Sequence, residues 1–123
     1  MDRFDNWEKP IIKHNVPTKW NWVVAYPEGL TLGERVDIGC GTYIQCQHGV
    51  EIGDDVQVGG NVCIYSANTI DQTEGKVTVK DKACIGAGSV ILPGVTIGVG
   101  AKVGALTIVK HDVPDWATVK GVW

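Results

Sequence analysis

Aliphatic residues recur at a spacing of six along most of this chain. The step starts at Leu32 and lands on Ile38 and Ile44. After a slip of two residues it resumes at Ile52, Val58 and Ile64, and after a longer break at Val79, Ile85, Ile91, Ile97, Val103 and Val109. All 12 positions are Val, Ile or Leu, which together make up 33 of the 123 residues. Chance would fill one fixed frame this way with a probability on the order of 10⁻⁷. The residue after the aliphatic is Gly in 7 of the 12 hexads. The fifth residue is Val, Thr, Ala or Ser in 10 of them, the exceptions being His48 and Asn68.

A period of six fits neither an amphipathic helix nor a long alternating strand. It fits a very short strand, a tight turn and another short strand, with one aliphatic pointing inward each time and a small residue at each corner. Three hexads close a triangular coil. Residues 52–69 make one coil, 79–114 make two, and 32–51 make another with a small bulge. The expected fold is therefore all-β, a parallel β-helix of about four coils, each burying its apolar face only by stacking on its neighbours. The expected organisation is one domain: a non-repeating cap over 1–31, coils over 32–69 and 79–114, a protruding loop over 70–78 and a short tail over 115–123.

Composition agrees with this picture. Gly reaches 16 residues while Phe and Met contribute one each, so the core is built from branched aliphatics with glycine between them. That favours strands and turns over helices. A net charge of −3 excludes a strongly basic chain that binds nucleic acid by neutralising phosphates. A hydrophobic content of 44% against 20% charged residues excludes wholesale disorder. No apolar run approaches the ~20 residues that cross a membrane. The start, Met1-Asp2-Arg3-Phe4-Asp5, lacks a basic-then-apolar leader pattern, so the expected compartment is the cytoplasm. Cys40, Cys46, Cys63 and Cys84 form no CxxC pair and are expected to be free thiols. Trp7, Trp20 and Trp22 gather before the frame, where the open end of a β-helix needs cover. They read as an aromatic cap, with Trp20 or Trp22 as alternatives for lining an acceptor pocket.

The run Ile85-Gly86-Ala87-Gly88-Ser89-Val90-Ile91-Leu92-Pro93-Gly94-Val95-Thr96-Ile97-Gly98 is followed by Val103-Gly104-Ala105 and an Asp112-Val113-Pro114 corner. With these motifs the chain resembles the hexapeptide-repeat acyltransferase family over roughly residues 30–121. The resemblance implies a left-handed β-helix and a homotrimer. It further implies acetyl transfer from acetyl-CoA to a hydroxyl or amine of a small polar acceptor, such as a sugar or nucleotide-sugar. The cofactor path it implies runs in the cleft between subunits past Gly86, Ala87, Gly88, Gly104 and Ala105, where small residues let the pantetheine arm lie against backbone. Lys110 and His111, with Lys120 nearby, form a basic cluster suited to the cofactor's phosphates. Relatives commonly continue past this point with Pro-Ala-Lys and a helix, where this chain has Gly121-Val122-Trp123.

Relatives that acetylate hydroxyls carry a histidine base in the loop after an Ile-Tyr-Ser/Thr segment. Here that segment reads Ile64-Tyr65-Ser66-Ala67-Asn68-Thr69-Ile70-Asp71 and holds no histidine. Asn68 stands at or near the place and cannot take a proton. The candidate catalytic residues are Asn68, as a positioning group, and His48, as the alternative base; His14 reads as a surface residue of the cap. Ser66 and Asp71 are candidates for binding the acceptor. Without a loop histidine an amine acceptor is the more attractive nucleophile, since a neutral amine attacks a thioester directly. Two other readings stand beside this one. The first is a non-catalytic trimer serving as scaffold or binding module. The second is a metal enzyme like the γ-class carbonic anhydrases. That class needs three histidines at a subunit interface, two close in sequence, and His48 and His111 are 63 residues apart. No metal, nucleic-acid or membrane partner is expected.

Overall fold

The computed structural model describes residues 5–123, so the first four residues of the expected cap lie outside the described part. Short parallel strands stack into three sheets that form the faces of a triangular prism. The first face holds Val23–Ala25, Tyr43–Gln45, Cys63–Tyr65, Val90–Ile91 and Ile108–Val109. The second holds Leu30–Leu32, Val50–Ile52, Val77–Val79 and Thr96–Ile97. The third holds Asp37–Ile38, Gln57–Val58, Cys84–Ile85, Lys102–Val103 and Thr118–Val119. Each coil visits the three faces in turn, so every strand pairs with its counterpart one coil away.

The six-residue frame becomes the interior. On the first face Val24, Ile44, Ile64, Ile91 and Val109 stand in register and are fully buried. Ile38, Val58, Ile85, Val103 and Val119 do the same on the third face, and Ile52, Val79 and Ile97 on the second. The small fifth residues turn inward at the corners and are buried as well. Where they carry hydroxyls, these bridge coils: Thr42 Oγ1 donates to Gly59 O at 2.8 Å, and Ser89 Oγ to Gly104 O at 2.9 Å. Such bonds satisfy backbone groups at corners where no strand partner exists.

The stack extends beyond the frame at both ends. Parallel pairing begins at Val23 rather than Leu32 and continues through Thr118–Val119, so the first and third faces carry five strands each. Residues 23–31, expected in the cap, are part of the first coil, and residues 115–123, expected as a tail, carry the last strand. The remaining cap seals the open edge of the first coil: Asn15 N donates to Val24 O, and Trp7 Nε1 to Val36 O at 2.9 Å. Between the first and second faces the chain leaves the prism as an antiparallel hairpin, Ala67–Asn68 against Thr73–Glu74. The excursion thus begins before residue 70, and Val77–Val79 is already back in the second face.

Ile64 sits in the middle of the first-face column with no solvent exposure. Ile64→Ala is expected to lower unfolding free energy by about 2–5 kcal/mol, the range for truncating a buried aliphatic. Urea denaturation followed by circular dichroism measures it; a loss below about 1 kcal/mol would contradict this packing.

Candidate functional site

Two features stand out from the regular prism: a corner of small residues and the pocket under the hairpin. The corner joins the third face to the first. There Gly86, Ala87 and Gly88 stack beneath Gly104 and Ala105, held by Gly88 N to Gly60 O at 3.0 Å and Leu106 N to Ala87 O at 2.9 Å. A Cβ on Gly86 would stand 2.5 Å from the Ala105 backbone nitrogen, so the coil spacing tolerates nothing larger there. Gly88 has φ +74°, the left-handed region that glycine enters without strain. Ala105 faces solvent. The result is a strip of small residues bordered by the exposed Leu106 side chain, which lies against Gly88.

The structure brings these five predicted residues together and leaves two others apart. Lys110 and His111 follow the first-face strand and belong to the next corner, where Lys110 N donates to Trp123 O at 2.7 Å. Lys120 is the cation beside the small residues. A Cβ on Gly104 would meet its Cγ at 3.1 Å, so its aliphatic stem lies along that glycine. Sequence reasoning grouped Lys120 with its basic neighbours and did not single it out. The available signal was its place directly after the third-face strand, one coil on from Gly104.

The hairpin borders an open groove of about 470 Å³ on the first face, lined by Gln45, Tyr65, Asn68, Ile70, Val90 and Leu92, with Ile70 almost fully exposed at its rim. Asn68 Oδ1 accepts from Ile70 N at 3.2 Å, which fixes the side chain at the turn. The Tyr65 hydroxyl is pushed above its ordinary pKa by its hydrogen bond with Cys63 and by burial, so it is a neutral phenol at physiological pH. Of the predicted acceptor-site residues only Asn68 lines this pocket. Ser66 is fully buried at the hairpin's base. Its Oγ lies 2.8 Å from Gln45 O and 2.7 Å from Gln45 Oε1, and it accepts from His48 N at 3.0 Å. The expectation that Ser66 contacts an acceptor is therefore corrected: its hydroxyl is consumed in holding the corner. Asp71 stands exposed at the hairpin tip outside the pocket. Its Oδ1 accepts from Thr73 Oγ1 at 2.7 Å and Thr73 N at 3.1 Å, which holds its carboxyl below the usual range.

His48 also lies outside the pocket walls. Its Nε2 meets Glu74 Oε2 at 3.0 Å on the returning strand of the hairpin, and Lys76 Nζ meets Glu51 Oε2 at 2.7 Å close by. These two pairs tie the hairpin to the preceding coil. The cysteines are free, and burial pushes the Cys46 thiol up to about 12, leaving it unreactive. Among the described residues no three His, Cys, Asp or Glu side chains stand together as a metal site, and no helix is long and apolar enough to cross a membrane.

Known proteins match this architecture. The family described as the hexapeptide repeat of succinyl-transferase matches residues 29–66 and 76–109. The chain belongs to this hexapeptide-repeat family, and its prism is the left-handed parallel β-helix of that family. It is 39% identical over 99 residues to the serine acetyltransferase of Bacillus subtilis, covering 76% of this chain and 43% of that one. Its fold superposes with a TM-score of 0.76 on a hexapeptide-repeat-containing acetyltransferase from Vibrio cholerae complexed with acetyl coenzyme A. That pair is 25% identical over 81% of this chain and 60% of the other. A variant of AntD, an N-acyltransferase from Bacillus cereus, in complex with dTDP-4-amino-4,6-dideoxyglucose and coenzyme A, matches with a TM-score of 0.58. There the identity is 28% over 84% of this chain and 67% of that one. The chain spans about half the length of the curated relatives it matches.

The His48–Glu74 pair is half exposed, so each partner is screened and the bond contributes under about 1 kcal/mol. His48→Ala is expected to leave global stability within about 1 kcal/mol of wild type while speeding amide exchange in residues 67–74. Unchanged exchange there would mean that the hairpin is held by its own turn alone.

Proposed function

We propose that this chain transfers acetyl from acetyl-CoA to an amine or hydroxyl of a small polar acceptor, such as a sugar or nucleotide-sugar. The observation that carries the reading is the bare corner flanked by Lys120. Gly86, Ala87, Gly88, Gly104 and Ala105 leave a strip on which a slender pantetheine arm fits and exchanges hydrogen bonds with backbone. Lys120 supplies positive charge for a phosphate at its edge. Lys110 and His111, on the next corner, are left for a phosphate reaching around the first face. The relatives named for acetyl transfer, and the neighbour holding acetyl coenzyme A, support the same substrate.

The chemistry asked of the chain is orientation. The acceptor lies under the hairpin with Asn68 as its positioning group, and its lone pair attacks the thioester carbonyl carbon. The carbon–sulfur bond breaks, the thiolate leaves with the electron pair, and the acceptor's proton passes to solvent or sulfur. Asn68 serves no proton transfer, which favours an amine. His48 is the alternative base for a hydroxyl acceptor. The separation of its ring from the pocket walls favours a role in holding the hairpin.

Assembly completes the site. The outward column of the first face reads Val23, Tyr43, Cys63, Val90 and Ile108, wholly apolar apart from the tyrosine hydroxyl. The matching column of the third face reads Asp37, Gln57, Cys84, Lys102 and Thr118. An apolar sheet face of this length calls for cover, and the reading supplies it with a homotrimer whose clefts hold the cofactor. The cytoplasm, where acetyl-CoA is made and used, is the matching compartment. A scaffold trimer without catalysis is the alternative.

Calorimetry with acetyl-CoA tests the cofactor assignment. Ala105→Trp places bulk on the corner without loading an inward column, so its circular dichroism should match wild type while binding is lost. Lys120→Ala should weaken binding by about tenfold, the value of one charge-assisted hydrogen bond. Undiminished binding by Ala105→Trp would show that the cofactor lies elsewhere. Sedimentation should give a species of about 40 kDa, three times 13.2 kDa; a stable monomer at micromolar concentration would remove the intersubunit cleft.

A further inference from the structure

The corner strip has two unlike edges. Toward the third face the aliphatic stem of Lys120 lies along Gly104 and brings a cation to that side. Toward the first face stands Leu106, 77% exposed, its side chain folded over Gly88 in the coil below. Ala87 and Ala105 form the floor between them and carry no more than a methyl group. The fold itself does not ask for a leucine at 106. The same corner place in the preceding coils holds Asn21, Gly41, Asn61 and Gly88, all at positive φ and all residues that enter the left-handed region readily. Leu106 takes φ +58° there, stands outside the packed core, and leaves most of its side chain in water. A Cβ on Gly88 would come within 2.6 Å of Leu106 Cδ2, so the glycine clears the space into which the leucine folds.

Building on the transferase reading, we propose that Leu106 is a specificity residue for the acyl donor: its side chain is the apolar wall against which the gem-dimethyl group of the pantoyl segment packs, across the strip from a phosphate held by Lys120. The chemistry of the arm fits the two walls. In a coenzyme A thioester the pyrophosphate and the carbon bearing the two methyls are separated by one oxygen and one methylene. Lys120 belongs to the coil after that of Leu106, and neighbouring coils lie about 4.8 Å apart. A phosphate drawn to Lys120 therefore brings the two methyls alongside Leu106. They are the one compact apolar group of the arm; the rest is amides, a hydroxyl and unbranched methylenes. Covering two methyls with the leucine takes apolar surface of both partners out of water, worth about tenfold in affinity. The low floor of Ala87 and Ala105 lets the arm lie deep enough to touch both walls. Ile108 and Val122 pair farther along, on the first face, which the proposed trimer covers, whereas Leu106 stands off that face on the corner.

The test uses the full chain and three ligands: coenzyme A by calorimetry, and pantetheine and an adenosine bisphosphate by titration of amide chemical shifts. Pantetheine carries the two methyls without a phosphate, and the bisphosphate carries phosphates without the methyls. Leu106→Asn, the residue that the same corner uses at 21 and 61, should weaken coenzyme A and pantetheine by about tenfold each and leave the bisphosphate within about twofold of wild type. Lys120→Ala should weaken coenzyme A and the bisphosphate and leave pantetheine unchanged. Leu106→Met restores an apolar reach and should recover most of the coenzyme A affinity. The thermal midpoint of Leu106→Asn should equal or exceed that of wild type, because asparagine enters the left-handed region more readily than leucine. Equal pantetheine affinity in wild type and Leu106→Asn overturns the proposal, as does a wild type that holds coenzyme A but gives no pantetheine shifts at millimolar concentration. A bisphosphate weakened as much as pantetheine also overturns it. A midpoint lowered by more than about 5 °C, or a smaller assembly in sedimentation, makes Leu106 a structural or interface residue and overturns it as well. Wild type that binds no coenzyme A defeats the transferase reading and this proposal together; wild type that binds it no better than Leu106→Asn does defeats this proposal alone.

Discussion

Coil-on-coil stacking is the interaction on which the rest of the structure depends. Each strand is only two or three residues long and has no stability of its own, so it persists because its backbone pairs with the coils above and below. Parallel pairing fixes the coil spacing at about 4.8 Å. At that spacing one aliphatic per strand fills the interior. Isoleucine and valine suit this because their branched side chains pack well on a pleated surface and have few rotamers to lose. The columns Val24–Ile44–Ile64–Ile91–Val109 and Ile38–Val58–Ile85–Val103–Val119 are the direct product.

The same spacing creates the candidate site. Corners are where the chain turns most sharply and where successive coils leave least room, as the missing Cβ at Gly86 shows. A fold that must put small residues at its corners exposes bare backbone there as a consequence. At the corner between the third and first faces, Lys120 adds a cation to that strip. The hairpin arises in the opposite way, where the frame is broken and the chain is released from the stack. Its strands lack a coil partner, and the contacts of Glu74 and Lys76 with the preceding coil restrain it over the pocket. In the proposed reading a rigid prism and one tethered excursion divide the labour between cofactor and acceptor.

The interior was legible in the sequence because it repeats: 11 of the 12 frame positions are buried, and the small fifth residues line the inner corners. The outermost strands, Val23–Ala25 and Thr118–Val119, were not, because neither carries the glycine that marks a hexad. Val24 is followed by Ala25 and preceded by the tryptophan-rich cap, and Val119 is followed by Lys120. The hairpin's place was legible as a break in period, but its pairing was not, since Thr69–Gln72 carries no Asn-Gly or Asp-Gly turn signal. Spatial neighbours across the hairpin were out of reach. His48 and Glu74 meet only because the excursion folds back by a particular length, and the same geometry shuts Ser66 inside. Lys120 was passed over in favour of Lys110, since closeness to the Asp112-Val113-Pro114 corner in sequence is not closeness to Gly104 in space.

The central claim is that stacking the coils builds a cofactor cradle on the corner between the third and first faces. Amide chemical shifts of the labelled protein during titration with acetyl-CoA test it most directly. The account predicts that the shifted resonances cluster at Gly86, Ala87, Gly88, Gly104, Ala105 and Lys120, with the inward columns unmoved. Shifts confined to the tryptophan-rich cap or the outer third face, or no saturable shifts at millimolar acetyl-CoA, would contradict it.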